Sequence, residues 1–203
     1  MTIQEKLQRL SEDNLRIQIV VPLMEALGCV TVRNEHGASE FGKDVVYCAE
    51  NIYRRSYHGA IVLKAERIRQ DDVVGTVQRQ VQEACTVPYT APPDLTTPVR
   101  MTEVTVMTSF DITPNARTVL QAAMASAQMA RVHFVDGDEL AALIRGVVKR
   151  AIDHVPPLAQ SDYEFDAANF HEICERVTQN SGHKPVTGTD ATTTTEGETA
   201  QSL

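Results

Sequence analysis

The chain has 203 residues, 42% of them apolar but with only five Tyr and five Phe, enough for one core and a small appendage. No stretch approaches the ~20 apolar residues of a membrane helix and no apolar run follows the first residues, so we expect a cytoplasmic protein with no membrane partner. The formal net charge of −8 belongs to the end of the chain: residues 1–150 carry 18 acidic and 17 basic side chains, residues 151–203 nine acidic and two basic.

In chain order, Ser11 is an N-cap for a helix in which Leu15, Ile19, Leu23 and Leu27 recur at helical spacing before Gly28 stops it, with Pro22 expected to kink it. Three β-rich runs follow, at 29–33, 43–50 and 57–68, separated by polar or glycine-bearing turns and read as a meander. Asp71 or Asp72 caps a helix with a Val73, Val77, Val81 core stripe, and a proline-rich loop over 88–99 ends it. The run 101–109 reads as a strand, Thr113-Pro114 opens a helix, 131–137 reads as another strand, and Asp136 or Asp138 starts a further helix. The order αβββαβαβα is an α/β fold, a mixed β-sheet flanked by helices.

Beyond Pro156-Pro157 the composition changes. We divide the chain into a domain over 1–150, a linker with an amphipathic C-terminal helix over 151–179, and an acidic, Thr-rich tail over 180–203 that has almost nothing to bury and is expected to be disordered. Cys29, Cys48, Cys85 and Cys174 form no CxxC pair and read as small buried hydrophobes. No GxSxG elbow, P-loop or GxGxxG is present, the histidines lack metal-ligand spacing, and His36 reads as a loop-bracing residue.

Two features carry chemistry. Glu40-Phe41-Gly42-Lys43-Asp44 places an acid at the start of one strand, and Val62-Leu63-Lys64 places a lysine after an apolar run on the next. Burying an ammonium is expensive without a partner, and Asp44 is the natural one, either as a structural ion pair or as part of a site. A divalent cation that organises water for phosphodiester hydrolysis takes carboxylate ligands, and a lysine beside it screens the phosphate.

These segments resemble the Mrr-type restriction endonuclease domain of the PD-(D/E)xK superfamily, over about residues 11–146: the helix ending LMEALG, HGxxExGKDVV at 36–46, the YHGxxVxLK strand, VxVMTS at 104–109 followed by TPNAR, and VHFVDGDELAALI. The resemblance implies a restriction-endonuclease-like fold and an endonuclease with DNA as partner and Mg²⁺ or Mn²⁺ as cofactor. It makes Asp44 a metal ligand, Lys64 the catalytic lysine, the Leu63 carbonyl a further ligand and Glu25 an auxiliary acid. Two residues before the lysine, however, where the family has Glu or Gln, stands Val62. Either catalysis is lost, or the ligand has moved to Glu66, Glu40, Gln78, Gln82 or Glu83, or one metal held by Asp44, Glu25 and the Leu63 carbonyl suffices. The competing functions are a metal-dependent DNA endonuclease and a pseudo-nuclease that binds DNA or a protein in a defence system, with Arg54, Arg55, Arg67, Arg69 and Arg79 as a candidate basic face. A lesser alternative is an assembly component using the proline-rich loop, the tail or a homo-oligomeric contact.

Overall fold

The computed structural model describes residues 1–35, 41–70, 74–90, 98–125, 131–153 and 165–180. The expectations for His36, Glu40, the Asp71 or Asp72 cap, Val73 and the tail from 181 onward lie outside the described residues. The chain opens with α1 (Ile3–Leu7), α2 (Glu12–Asn14), a π-helical stretch (Leu15–Val20) and α3 (Val21–Ala26). The strands are β1 (Thr31–Asn34), β2 (Val45–Glu50), β3 (Ser56–Lys64), β4 (Glu103–Thr108) and β5 (Arg131–Val135). The remaining helices are α4 (Val74–Thr86), α5 (Pro114–Ala125), α6 (Gly137–Ile152) and α7 (Phe170–Asn180).

The five strands form one mixed sheet in the order β1-β2-β3-β4-β5. The first three pair antiparallel as a meander, and β3, β4 and β5 run parallel, each parallel step bridged by a helix. Alternation along each strand sends side chains to two cores. Val45, Tyr47 and Ala49 of β2 and Ile61 and Leu63 of β3 join Leu15, Ile19, Leu23, Leu140, Ile144 and Phe170 on one side. Val46, Ala60, Val62, Val104 and Val106 join Val77, Val81, Ala116 and Leu120 on the other. The result is an α/β fold in which the sheet has α4 and α5 on one face and the remaining helices on the other.

Two local features differ from the sequence expectation. The turn before Pro22, where a kink was expected, is widened: the Val21 N–H bonds the carbonyl of Arg16, five residues back. A proline lacks its own N–H and crowds the carbonyl four residues before it, and a wider π turn relieves both at once. That widening turns Leu15, Arg16, Ile19 and Val20 all inward. The second difference is α1, for which no element was expected. Its capping box, in which Thr2 and Glu5 bond each other's backbone N–H, was legible as T-x-x-E.

Candidate functional site

The site lies where β2 begins and β3 ends. Phe41 and Gly42 are both left-handed, with φ of 47° and 71°. A side chain on Gly42 would stand 2.2 Å from the Gln80 carbonyl oxygen, so the loop is pressed against the backbone of α4 and only glycine fits. This fixes the entry into β2. The Asp44 N–H donates to the Ile61 carbonyl at 3.0 Å, and Asp44 Oδ2 accepts from the Leu63 N–H at 2.7 Å. Its Oδ1 is 3.9 Å from Nη1 of Arg16, and both side chains are buried. Arg16 Nη2 donates to Asp13 Oδ1 at 2.5 Å, so the guanidinium bridges an exposed acid at the start of the helix and a buried one at the sheet.

Lys64, the last residue of β3, opens to the same end of the sheet. Its Nζ is 3.5 Å from Glu12 Oε2 of α2. The acid and the ammonium singled out in the sequence therefore reach one mouth, but Lys64 pairs with Glu12 and Asp44 with Arg16 in place of the pairing expected between them. Nor is Lys64 the most buried lysine: its side chain is 12% exposed, whereas Lys43 is 1% exposed as a residue, with Nζ 5.7 Å from the Phe41 ring centroid. Burial pulls the Lys43 ammonium below its ordinary value, opposed by the acids Glu83 and Glu35.

The other expected ligands are placed as follows. Val62 is fully buried in the core that includes Val46, Val77 and Val106, so the position two before Lys64 is a packing position. Leu63 meets Asp44 through its N–H. Glu25 lies nine residues beyond Arg16, near His171 and Glu175 of α7. There burial raises its carboxyl above the ordinary value, offset by His171 and reinforced by Glu175. Among the substitutes, Glu66 is exposed past the end of β3, Glu83 is ion-paired with Arg79 at 2.6 Å, and Gln78 is half-buried on α4.

Among the described residues this donor set does not fit a divalent cation. A hard cation needs free carboxylate oxygens converging on one point. At Asp44 one oxygen already accepts from a backbone N–H and the other faces a guanidinium, which brings a positive charge of its own to the place a metal would neutralise. Among the described residues no cluster of three or more His, Cys, Asp or Glu side chains is arranged to hold a metal ion.

The basic residues also separate. Arg67 pairs with Asp111 and Arg79 with Glu83, while Arg54 and Arg55 stand at the β2–β3 turn, at the other end of β3, about 27 Å from Lys64. The expected basic face is not one surface. Arg16, Glu12 and Lys43 are the residues that sequence reasoning missed. The four-residue spacing of Glu12 and Arg16 was visible, but the π turn that carries Arg16 inward has no mark in a 3.6-residue periodicity. Comparison of the chain with protein-family models, curated proteins and solved structures finds no match in any of the three.

Proposed function

We propose that this chain is a nuclease-like domain that has lost metal-dependent chemistry and serves as a nucleic-acid-binding module. Three things support the reading: the meander followed by parallel strands, the acid and lysine at one mouth of the sheet, and the sequence segments that resemble the Mrr-type domain. The observation that carries the loss of chemistry is the buried Arg16 guanidinium at Asp44, together with the fully buried Val62 where a ligand is needed. A fixed guanidinium supplies charge but neither lowers the pKa of a bound water nor exchanges ligands, which are the two services a metal performs in hydrolysis.

The test is incubation of the purified chain with supercoiled plasmid in Mg²⁺ or Mn²⁺, alongside Asp44→Ala and Lys64→Ala, with DNA binding measured in EDTA. The expected result is no nicking in any sample, and binding that survives EDTA and weakens with salt as counterions are released. Metal-dependent nicking by the wild type that disappears in both variants would assign a working nuclease instead. Absence of any nucleic-acid binding would remove the second half of the reading.

A further inference from the structure

The end of the sheet opposite Asp44 gathers a different set of side chains. The β2–β3 turn, Asn51 to Arg55, carries Ile52 at 89% and Tyr53 at 76% exposure, the two most exposed large apolar side chains among the described residues. The turn is nevertheless rigidly built. Asn51 Oδ1 accepts from the N–H groups of Tyr53 and Arg55 at 2.9 and 3.1 Å, and its carbonyl accepts from Arg54 N–H at 2.8 Å. Arg54 is left-handed, with φ of 57°, a conformation that glycine or asparagine adopts with less strain. A strained arginine beside two outward apolar side chains on a braced turn is a poor solution for stability alone.

The neighbouring strands add to it. Because Gly59 pairs with Glu103 and Glu103 with Arg131, the parallel strands β3, β4 and β5 all begin at this end. Arg100 stands two residues before Thr102, whose N–H donates to the His58 carbonyl, and the Arg131 N–H donates to the Thr102 carbonyl. Arg54, Arg55, Arg100 and Arg131 are all exposed, and among the described residues none of them is in an ion pair. Glu50 and Glu103 are the acids of the same end, and the only ion-pair partner of Glu103 there is His133, at 4.0 Å. Arg67, Arg79 and Arg117, by contrast, are all paired with acids.

We propose that this end of the sheet binds single-stranded nucleic acid, with the four arginines on phosphates and Tyr53, beside Ile52, stacked on an unpaired base. The choice of nucleic acid rests on the reading above, and the charge and side-chain chemistry fit it. Guanidinium forks match phosphate oxygens in pairs, and an exposed phenol ring held on a rigid turn offers a stacking face to a base that is outside a duplex.

The experiment is fluorescence anisotropy with a labelled oligonucleotide, single-stranded and as its duplex, across a salt series in EDTA. The variants are Arg54→Gln with Arg55→Gln, Arg100→Gln with Arg131→Gln, Tyr53→Ala, and Arg79→Gln with Arg117→Gln as a charge-matched control, each checked for an unchanged thermal melt. Each arginine pair is expected to weaken binding at least tenfold and to flatten the slope of log K against log salt by about one to two. Tyr53→Ala is expected to weaken the single strand about tenfold and the duplex less, and Arg79→Gln with Arg117→Gln to change neither. Wild-type binding retained in both arginine pairs overturns this surface and leaves the nucleic-acid module standing. Failure of the wild type to bind either probe overturns both. Capture of anionic phospholipid vesicles in preference to both oligonucleotides overturns the choice of partner.

Discussion

Arg16 and Asp44 are 3% and 4% exposed and face each other at 3.9 Å, while Arg16 also holds Asp13 at 2.5 Å. A buried ion pair is weak evidence of net stabilisation, but breaking one side of it leaves a stranded charge. Arg16→Leu is therefore expected to cost about 3–5 kcal/mol in urea unfolding. Asp44→Asn keeps an acceptor for the Leu63 N–H, so adding it to Arg16→Leu is expected to recover most of the loss. A coupling below about 0.5 kcal/mol in that double-mutant cycle would mean that the two residues act independently. At this scale Asp44 and Lys64 stood out in the sequence. An acid entering a strand and a lysine after an apolar run are local signals. The partners were not legible, because Glu12 and Arg16 reach the sheet across a long loop closure and through a helical register that no propensity announces.

The loop into β2 shows what an element needs in order to aim one side chain. Gly42 combines a positive φ with backbone contact to Gln80, whereas Gly146 lies exposed within α6 with nothing near its missing Cβ. The same substitution is thus expected to act in opposite directions. Gly42→Ala should destabilise by roughly 2 kcal/mol or more, from left-handed strain and the clash together, and Gly146→Ala should stabilise by about 0.5–1 kcal/mol. Chemical denaturation of the two variants side by side checks the pair, and destabilisation of equal size in both would show that the loop yields. Strands and helices were largely legible because alternation and helical stripes persist over whole elements: the runs at 43–50 and 101–109 contain β2 and β4, and 57–68 covers all of β3 but Ser56. The ends were less so. Residues 65–68, read as strand, leave the ladder after Lys64, and Ile68 keeps only a single bridge to Ile112.

Across the whole molecule, α7 returns the far part of the described chain to its beginning. Phe170, Ile173, Cys174 and Val177 pack into the core shared by α3 and α6, and in doing so they cover Glu25. Because burial raises the Glu25 carboxyl above 4.5, the folded state favours its neutral form. The resulting penalty is fully present above the folded-state value and vanishes below the ordinary one. Glu25→Gln is therefore expected to melt higher than wild type at pH 7, with the gap closing as pH falls towards 4.5; a gap independent of pH would reject burial as the cause. The amphipathic pattern of this helix was readable from Phe170, Ile173, Cys174 and Val177, but its docking place was not, since one apolar stripe fits any complementary groove.

The uneven sorting of charge along β3 has a mechanical consequence. Near Lys64 the cations Arg16, Lys64 and Arg67 are ion-paired with Asp13, Asp44, Glu12 and Asp111, whereas at the turn end Arg54, Arg55, Arg100 and Arg131 are in no ion pair among the described residues, with Glu50 and Glu103 nearby. That difference in pairing would let the field of a polyanion turn the proposed surface towards it before any atoms touch. For the proposed nucleic-acid partner, such orientation would leave fewer collisions wasted on rotational search.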